Sequence, residues 1–317
     1  MAKPVVLTSQ LSRESPALIL VNPTAGGGRA RAILPRVQAY LASQGWPAEF
    51  ILTTSVQDLE MRARQAIARG RHTLLAMGGD GTLQGLVNAA AGADVVLGVF
   101  PAGGGNDFAA ALGLPRDPIA AAHAVLRGQP RWVDLIRVRT ADGRTRLYAG
   151  GGGLGLDAEA ARYASGAYRQ WPGTLRYVAS ALRALRGFTP SDVCAEFPGQ
   201  GLPPMQANVL LASVLNTPTY GAGLRLAPDG RVDDGWLDVV FIEDLSVLEV
   251  LALLPVLARN GDVRIPQLKR TRARSLRLTA DRPCVFHGDG EIIGPAPVDI
   301  EVVPQAVRVL APRPQDG

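Results

Sequence analysis

Between residues 17 and 130 one unit recurs: an apolar run, a short loop, then a segment with apolar residues at helical spacing. The run "ALILVN" at 17–22 is continuously apolar up to its last residue, as in a strand buried on both faces. After "PTAGGG", residues Ile33, Leu34, Val37, Tyr40 and Leu41 recur every three or four positions. Further strands are predicted at "AEFILTT", "HTLLAMGG" and "DVVLGVFPAG". Helices are predicted at "DLEMRARQAIARG", through Leu83, Leu86, Val87 and Ala90, and at "DPIAAAHAVLRG". Such alternation specifies an α/β domain with a parallel sheet. Ligands in such sheets bind beyond the carboxyl ends of the strands. Three glycine-rich loops, 24–28, 78–81 and 103–105, fall at that edge.

From about residue 131 the texture changes. "WVDLIRVRT-ADG-RTRLYAGGG" reads as a hairpin with a glycine-containing turn. Strand candidates follow at "ANVLLASVLN", "LRLAP", "GWLDVVFIED", "SLRLTA", "PCVFHGDGE", "VDIEVV" and "AVRVLAP", with helices near 174–187 and 246–259. The expected organisation is therefore an α/β domain over 1–130 and a mainly antiparallel β-sandwich over 131–304.

The chain has 317 residues, 47% hydrophobic and 19% charged, which is the composition of a globular protein with a sizeable core. A formal net charge of +5 suits acidic partners such as phosphates or anionic lipid without choosing among them. Cys194 and Cys284 make no disulfide framework and no cysteine-based metal cluster. No apolar run approaches the ~18 residues of a spanning helix, and the longest, "VLEVLALLPVLA" at 247–258, contains Pro255. A cytoplasmic protein is expected, with any membrane contact peripheral, at the inner face. Aromatic residues are few and not interleaved with a basic groove, so a nucleic-acid partner is not expected.

The loop "MGGDGT" at 77–82 carries the sharpest chemical signal. A glycine-rich turn between strand and helix brings backbone N–H groups onto an anion. That accounts for Gly78, Gly79 and Gly81 but not for Asp80, whose charge would repel phosphate. A carboxylate belongs there if it faces Mg²⁺ on the phosphates, a ribose hydroxyl or the attacking hydroxyl. A lone DG pair would more simply be a turn; three such loops at one sheet edge favour function. No GK[ST] follows, and "GGGLGLDAE" at 151–159 only loosely approaches a dinucleotide fingerprint.

Taken in order, "VNPTAGG", "MGGDGT" and "FPAGGGNDFAAALGLP" resemble the successive signatures of the diacylglycerol kinase catalytic domain family. "GGGLGLDA", "APDGRVDDGWLDVV" and "GDGE" resemble the second half of its bacterial members. The resemblance implies ATP in a cleft between an α/β domain and a β-sandwich, transfer of its γ-phosphoryl group to a lipid hydroxyl, and a final segment, 305–317, returning to the first domain. It implies that Asn22, Thr53, Gly79, Asp80, Gly81 and Thr82 line the nucleotide site. It places Asp289 and Glu291 at the catalytic centre and has Asp234 with the carbonyls of Arg231 and Trp236 holding a structural Mg²⁺; of the two carboxylates of "GDGE", the base role is assigned to Glu291 with Asp289 in support, the reverse assignment staying open. Asn106 and Asp107 match the family's ND pair in the third loop. Two positions depart from the pattern: Gly104 stands where the family usually has threonine, and Gly85 where it usually has glutamate. The implied cofactors are ATP and Mg²⁺, and the implied partner is a lipid alcohol. A soluble NAD-kinase-like enzyme shares the GGDG loop, and a binding protein that has lost catalysis would also accommodate Gly85 and Gly104.

Other segments admit two readings. The basic residues Arg264, Lys269, Arg270, Arg272, Arg274 and Arg277 form either a headgroup-docking patch or a charge-protected strand edge. The stretch "YASGAYRQWPGTLRYVASALRALRGF" is either interfacial or, preferably, packed through Leu175, Val178, Leu182 and Leu185. His287, two residues before Asp289, is read as structural. The oligomeric state is open, a homodimer included.

Overall fold

The computed structural model describes residues 16–313, apart from 157–158, 160–162, 164–178, 181–182, 186 and 222. The chain forms two compact units: one runs to Val133 and resumes at Gln305, and the other is Asp134–Pro304.

In the first unit β1 (Ala17–Val21), β2 (Ala48–Leu52), β3 (Thr73–Gly78) and β4 (Val96–Pro101) alternate with α1 (Arg29–Ser43), α2 (Val56–Ala68), α3 (Asp80–Ala90), α4 (Asp107–Ala111) and α5 (Pro118–Arg127). The strands lie in the order β4-β3-β1-β2, all parallel, and the last strand of the chain joins beside β4 with Arg308 opposite Val96. Every residue of β1, β3 and β4 is buried, which is why these strands read as continuous apolar runs. Local chemistry starts the helices. Ser55 caps α2 by accepting the Asp58 N–H, and Asp117 caps α5 by accepting from Ile119 and Ala120, with Pro118 in the first turn.

The second unit is antiparallel. Its strands are β5 (Gln129–Thr140, entering from the first unit), β6 (Thr145–Tyr148), β7 (Gly151–Gly155), β8 (Ser191–Glu196), β9 (Met205–Leu215), β10 (Leu237–Glu243), β11 (Leu268–Ala273), β12 (Ser275–Ala280), β13 (Val285–Gly288), β14 (Glu291–Pro295) and β15 (Val298–Ala311). They run β14-β13-β7-β9-β8-β12-β15, with β10 between β9 and β11 and β6 on β5. Tyr148, Leu237, Val239, Phe241, Leu276 and Phe286 build the core. One helix, α6 (Val247–Arg259), opens with a capping box in which Ser246 and Glu249 exchange hydrogen bonds.

Three expectations differ from the structure. "LRLAP" is not a strand: Leu224 pairs back with Tyr220, and Leu226 and Ala227 turn into a small core beside α6. "VDIEVV" and "AVRVLAP" are one strand, β15, carried through Pro304 with Gln305 at φ 48°. The five-residue α4 was not anticipated, being shorter than two turns and so without periodicity to read. Most of the helix expected near 174–187, and the Leu175, Val178 and Leu182 face assigned to it, lies outside the described residues. No helix among the described residues is long and apolar enough to cross a membrane.

Candidate active site

The loops at the carboxyl ends of β1, β3 and β4 touch one another. Asn22 follows β1, and its Nδ2 donates to Thr82 Oγ1 at 3.2 Å while its Oδ1 accepts from Thr24 N and Oγ1 at 3.1 and 2.9 Å. The first glycine-rich loop is thereby tied to the first turn of α3. Thr53 is buried, and its hydroxyl donates to the Val21 carbonyl at 3.0 Å, so it supports β1 from below the loop. Gly79 and Gly103 cross at backbone contact, and a Cβ added to Gly103 would stand 2.4 Å from the Gly79 Cα. Glycine at 103 is a steric requirement of two loops passing at this distance, and a Cβ at Gly79 would sit tightly at 3.1 Å from the Gly103 Cα. Asn106, at φ 60°, closes the third loop with its own amide: Gly103 N donates to Oδ1 and Nδ2 donates to Gly103 O, each at 2.9 Å.

Asp80 is the hinge of this arrangement. It begins α3, and its carboxylate accepts the Asn106 N–H at 2.8 Å and the Phe108 N–H at 3.3 Å. Burial and the negative charge of Asp107 push its pKa up to about 6, against the backbone donors. Two carboxylates therefore share one loop edge where the ionised form of Asp80 lacks full compensation. A hard divalent ion held by one or two carboxylates plus phosphate oxygens would supply it. Gly81 and Thr82 lie in the same first turn, where helix N–H groups face the loop edge. The residues here fit an ATP-bound Mg²⁺.

In the second unit, Asp289 sits in a left-handed turn at φ 50° and reaches back to β7. Its Oδ2 accepts from Ala149 N at 2.8 Å, and its Oδ1 accepts from Gly150 N at 2.9 Å and Gly151 N at 3.2 Å. Three successive amides make an anion nest, and its occupant is a side chain of the protein itself. The glycine run of β7 follows from this packing. A Cβ at Gly150 would meet Asp289 Oδ1 at 2.9 Å, one at Gly151 the Tyr220 ring at 2.6 Å, and one at Gly152 the His287 carbonyl at 2.3 Å. "GGG" here is a carboxylate cradle, not a dinucleotide fingerprint.

Glu291 begins β14 two residues further on. The residue is exposed, yet enough protein crowds its carboxyl for desolvation to raise the pKa, with Arg146 opposing. Asp289 is thus committed to backbone donors, whereas Glu291 has the raised basicity that a proton acceptor needs. If Glu291 takes a proton, Arg146→Gln removes the charge that lowers its pKa. The acid limb of kcat should then move to higher pH, because Glu291 would stay protonated further up the scale; a pH–rate profile checks this. His287 is buried, with Nε2 2.6 Å from the Tyr220 hydroxyl and Nδ1 3.0 Å from the Gly153 carbonyl. A carbonyl only accepts, so Nδ1 carries the proton and Nε2 accepts from Tyr220. The Gly153 bond fastens β13 to β7, and Tyr220 holds the ring from the 220–224 turn.

The Arg231, Asp234 and Trp236 turn does not fit a resident ion as it stands. Asp234 Oδ1 accepts the Trp236 N–H at 3.1 Å, and Oδ2 is ion-paired with Arg272. Arg272 also approaches Asp238 at 3.5 Å and lies over the Trp236 ring. The guanidinium supplies the positive charge that a cation would bring, and the two would repel. Without nucleotide, Mg²⁺ or EDTA should therefore leave the melting temperature unchanged, while Arg272→Gln should lower it and make it Mg²⁺-dependent. Thermal unfolding of both proteins in Mg²⁺ and in EDTA is the check.

Gly85 and the basic run acquire structural accounts. A Cβ at Gly85 would meet Val56 Cγ1 at 3.1 Å and Leu59 Cδ2 at 3.2 Å, so glycine lets α3 pack closely on α2. Of the basic residues in 264–277, Arg264 pairs with Asp262, Lys269 with Glu243, Arg272 with Asp234 and Asp238, and Arg277 with Asp299. Arg270 donates to the carbonyls of Leu226, Val263 and Gly261, and Arg274 stacks on Trp236. The six cations are exposed, and each has a partner within its own unit, around the edge strand β11.

Known proteins resemble this chain along most of its length. Residues 16–138 match the diacylglycerol kinase catalytic domain, and 152–311 match the YegS C-terminal NAD kinase beta sandwich-like domain. A Mycobacterium tuberculosis diacylglycerol kinase is 30% identical over 296 residues, covering 93% of this chain and 94% of its own. A probable lipid kinase YegS-like from Stenotrophomonas maltophilia is 30% identical over 307 residues, with 93% and 95% covered. The fold is shared with a crystal structure of a putative diacylglycerol kinase from Bacillus anthracis, TM-score 0.75 at 20% identity, covering 94% of this chain and 98% of that one. The match to the diacylglycerol kinase catalytic domain together with relatives named as diacylglycerol and lipid kinases gives the class, a lipid kinase. The chain belongs to the diacylglycerol kinase family.

Proposed function

We propose that this lipid kinase transfers the γ-phosphoryl group of ATP to the hydroxyl of a lipid alcohol, diacylglycerol or a close relative. The observation that carries the reading is the division of labour between two carboxylates: Asp289 is spent on three backbone N–H groups, and Glu291, next along the turn, retains raised basicity. The nucleotide is assigned to the loops of the first unit, with Asn22, Gly79, Gly81, Thr82, Gly104 and Asn106 around the phosphates and Thr53 buttressing them. Asp80 and Asp107 would hold the Mg²⁺ that accompanies ATP, which neutralises phosphate charge. Glu291 accepts the proton of the lipid hydroxyl as its oxygen bonds to the γ-phosphorus and the bond to the ADP oxygen breaks. Asp289 orients the turn that carries Glu291. Work at the inner membrane face from the cytoplasm follows from a bilayer substrate.

Relatives named as diacylglycerol kinases and lipid kinases support the acceptor class. The test is γ-labelled ATP with a panel of lipid alcohols and NAD, the products being resolved by chromatography and mass spectrometry. A labelled phospholipid is the expected product; phosphorylation of NAD alone would overturn the proposal. Within this reading Gly104 weakens nucleotide binding. Its φ is not in the left-handed region, so threonine would not strain the backbone, and a restored hydroxyl is worth about 0.5–1.5 kcal/mol. Gly104→Thr should tighten ATP binding severalfold by calorimetry.

A further inference from the structure

Helix α6 has an outer face that does not belong on a water-exposed surface. Leu248, Leu251, Ala252 and Pro255 are exposed at i, i+3, i+4 and i+7, and Leu248 and Leu251 are 77% and 40% accessible. The inner face is apolar as well: Val250, Leu253, Val256 and Leu257 pack into the unit. A surface helix normally turns charge to solvent, yet no charged residue lies between Glu249 and Arg259. The row spans most of a helix about 20 Å long. At its start the Glu249 carboxylate is folded into the capping box with Ser246, and near its end Asp262 is paired with Arg264. Arg259, exposed at the last turn, has no ion-pair partner among the described residues. An apolar row closing on a cation at its far end, with Asp244 exposed only before the first turn, complements an acyl layer beneath anionic headgroups.

We propose that the outer row of α6 is the surface on which this protein docks to the bilayer containing its acceptor. The proposal rests on the reading that the acceptor is a membrane lipid. It also relocates the membrane contact: the exposed cations of 264–277 are already paired with carboxylates and carbonyls, whereas this apolar row faces outward. Two leucines and a cation give reversible attachment.

The experiment uses the full chain and phosphatidylcholine vesicles containing phosphatidylglycerol, read by flotation. Leu248→Asp/Leu251→Asp and the uncharged Leu248→Gln/Leu251→Gln are compared with wild type, folding being monitored by thermal unfolding. Both positions are exposed, so the folds should survive. Vesicle partitioning should fall by about tenfold or more in both double variants. Phosphorylation of long-chain diacylglycerol in the same vesicles should fall in parallel, while that of a short-chain, water-soluble diacylglycerol stays at the wild-type rate. Wild-type protein that does not float, or variants that float equally, would overturn the docking surface. So would a dimer that becomes a monomer in the variants, by sedimentation, with flotation intact. If neither diacylglycerol is phosphorylated, the acceptor assignment fails while flotation still decides the surface.

Discussion

Glu291→Gln is expected to lower turnover by ~10²–10⁴ while ATP affinity stays within about twofold, because general-base removal acts on the transition state and not on nucleotide binding. The variant keeps the size and the hydrogen-bonding reach of the side chain and deletes only its basicity. Glu291 is exposed at the start of β14, and Gln keeps its shape, so the melting temperature should not move. Asp289→Asn provides the contrast. Its amide retains one oxygen for the three backbone donors of 149–151 and points an NH₂ at the others, leaving buried N–H groups unsatisfied at about 1–3 kcal/mol each. That variant should lose stability and activity together. Steady-state kinetics with nucleotide titration and thermal unfolding separate the two behaviours. Turnover within about tenfold of wild type in both variants would remove base catalysis from this turn.

Asp80→Asn should abolish most turnover, by ~10²-fold or more if it positions the ion on the phosphates, without unfolding the protein. The sign for stability follows from the raised pKa. A carboxyl that titrates near 6 in the folded protein, against 3.8 for an ordinary aspartate, stabilises the fold when protonated, and that contribution is lost as pH rises through 6. At neutral pH the ionised Asp80 is therefore a burden on the fold, created by burial and by Asp107. Asparagine removes the charge, keeps one acceptor for the Asn106 N–H and gives up the longer bond from Phe108. The nucleotide-free melting temperature should hold or rise. A large fall in melting temperature that accounts for the lost activity would make Asp80 a loop brace and nothing more. The trade is the one expected where a site keeps a charge that stability alone would discard.

The parallel half of the fold was legible because its strands are buried on both faces and its helices on one, so "ALILV", "TLLAMG" and "VLGVFP" carry a period that their loops interrupt. The antiparallel half was legible in outline only. β11 reads as a run of cations until its pairing with β10 and its carboxylate partners are seen, and "LRLAP" has a strand's composition in a segment that turns. The sequence also singled out Asp80, Asp289 and Glu291 as candidate carboxylates. It could not say what each touches, since Asp80 finds its donors 26 and 28 residues away and Asp289 about 140.

Residue pattern alone thus determined the class of fold, the three glycine-rich loops at one sheet edge and the pool of acidic side chains available for phosphoryl transfer. Tertiary structure decided how those side chains are used: Asp289 drawn into a nest of amides, Asp234 neutralised by Arg272, Gly85 placed where two helices meet, and one leucine row of α6 left facing outward. The reason is one of range. Periodicity and turn chemistry act over a few neighbouring residues, whereas the partner of a buried or exposed side chain is set by which distant strands and helices the fold brings beside it.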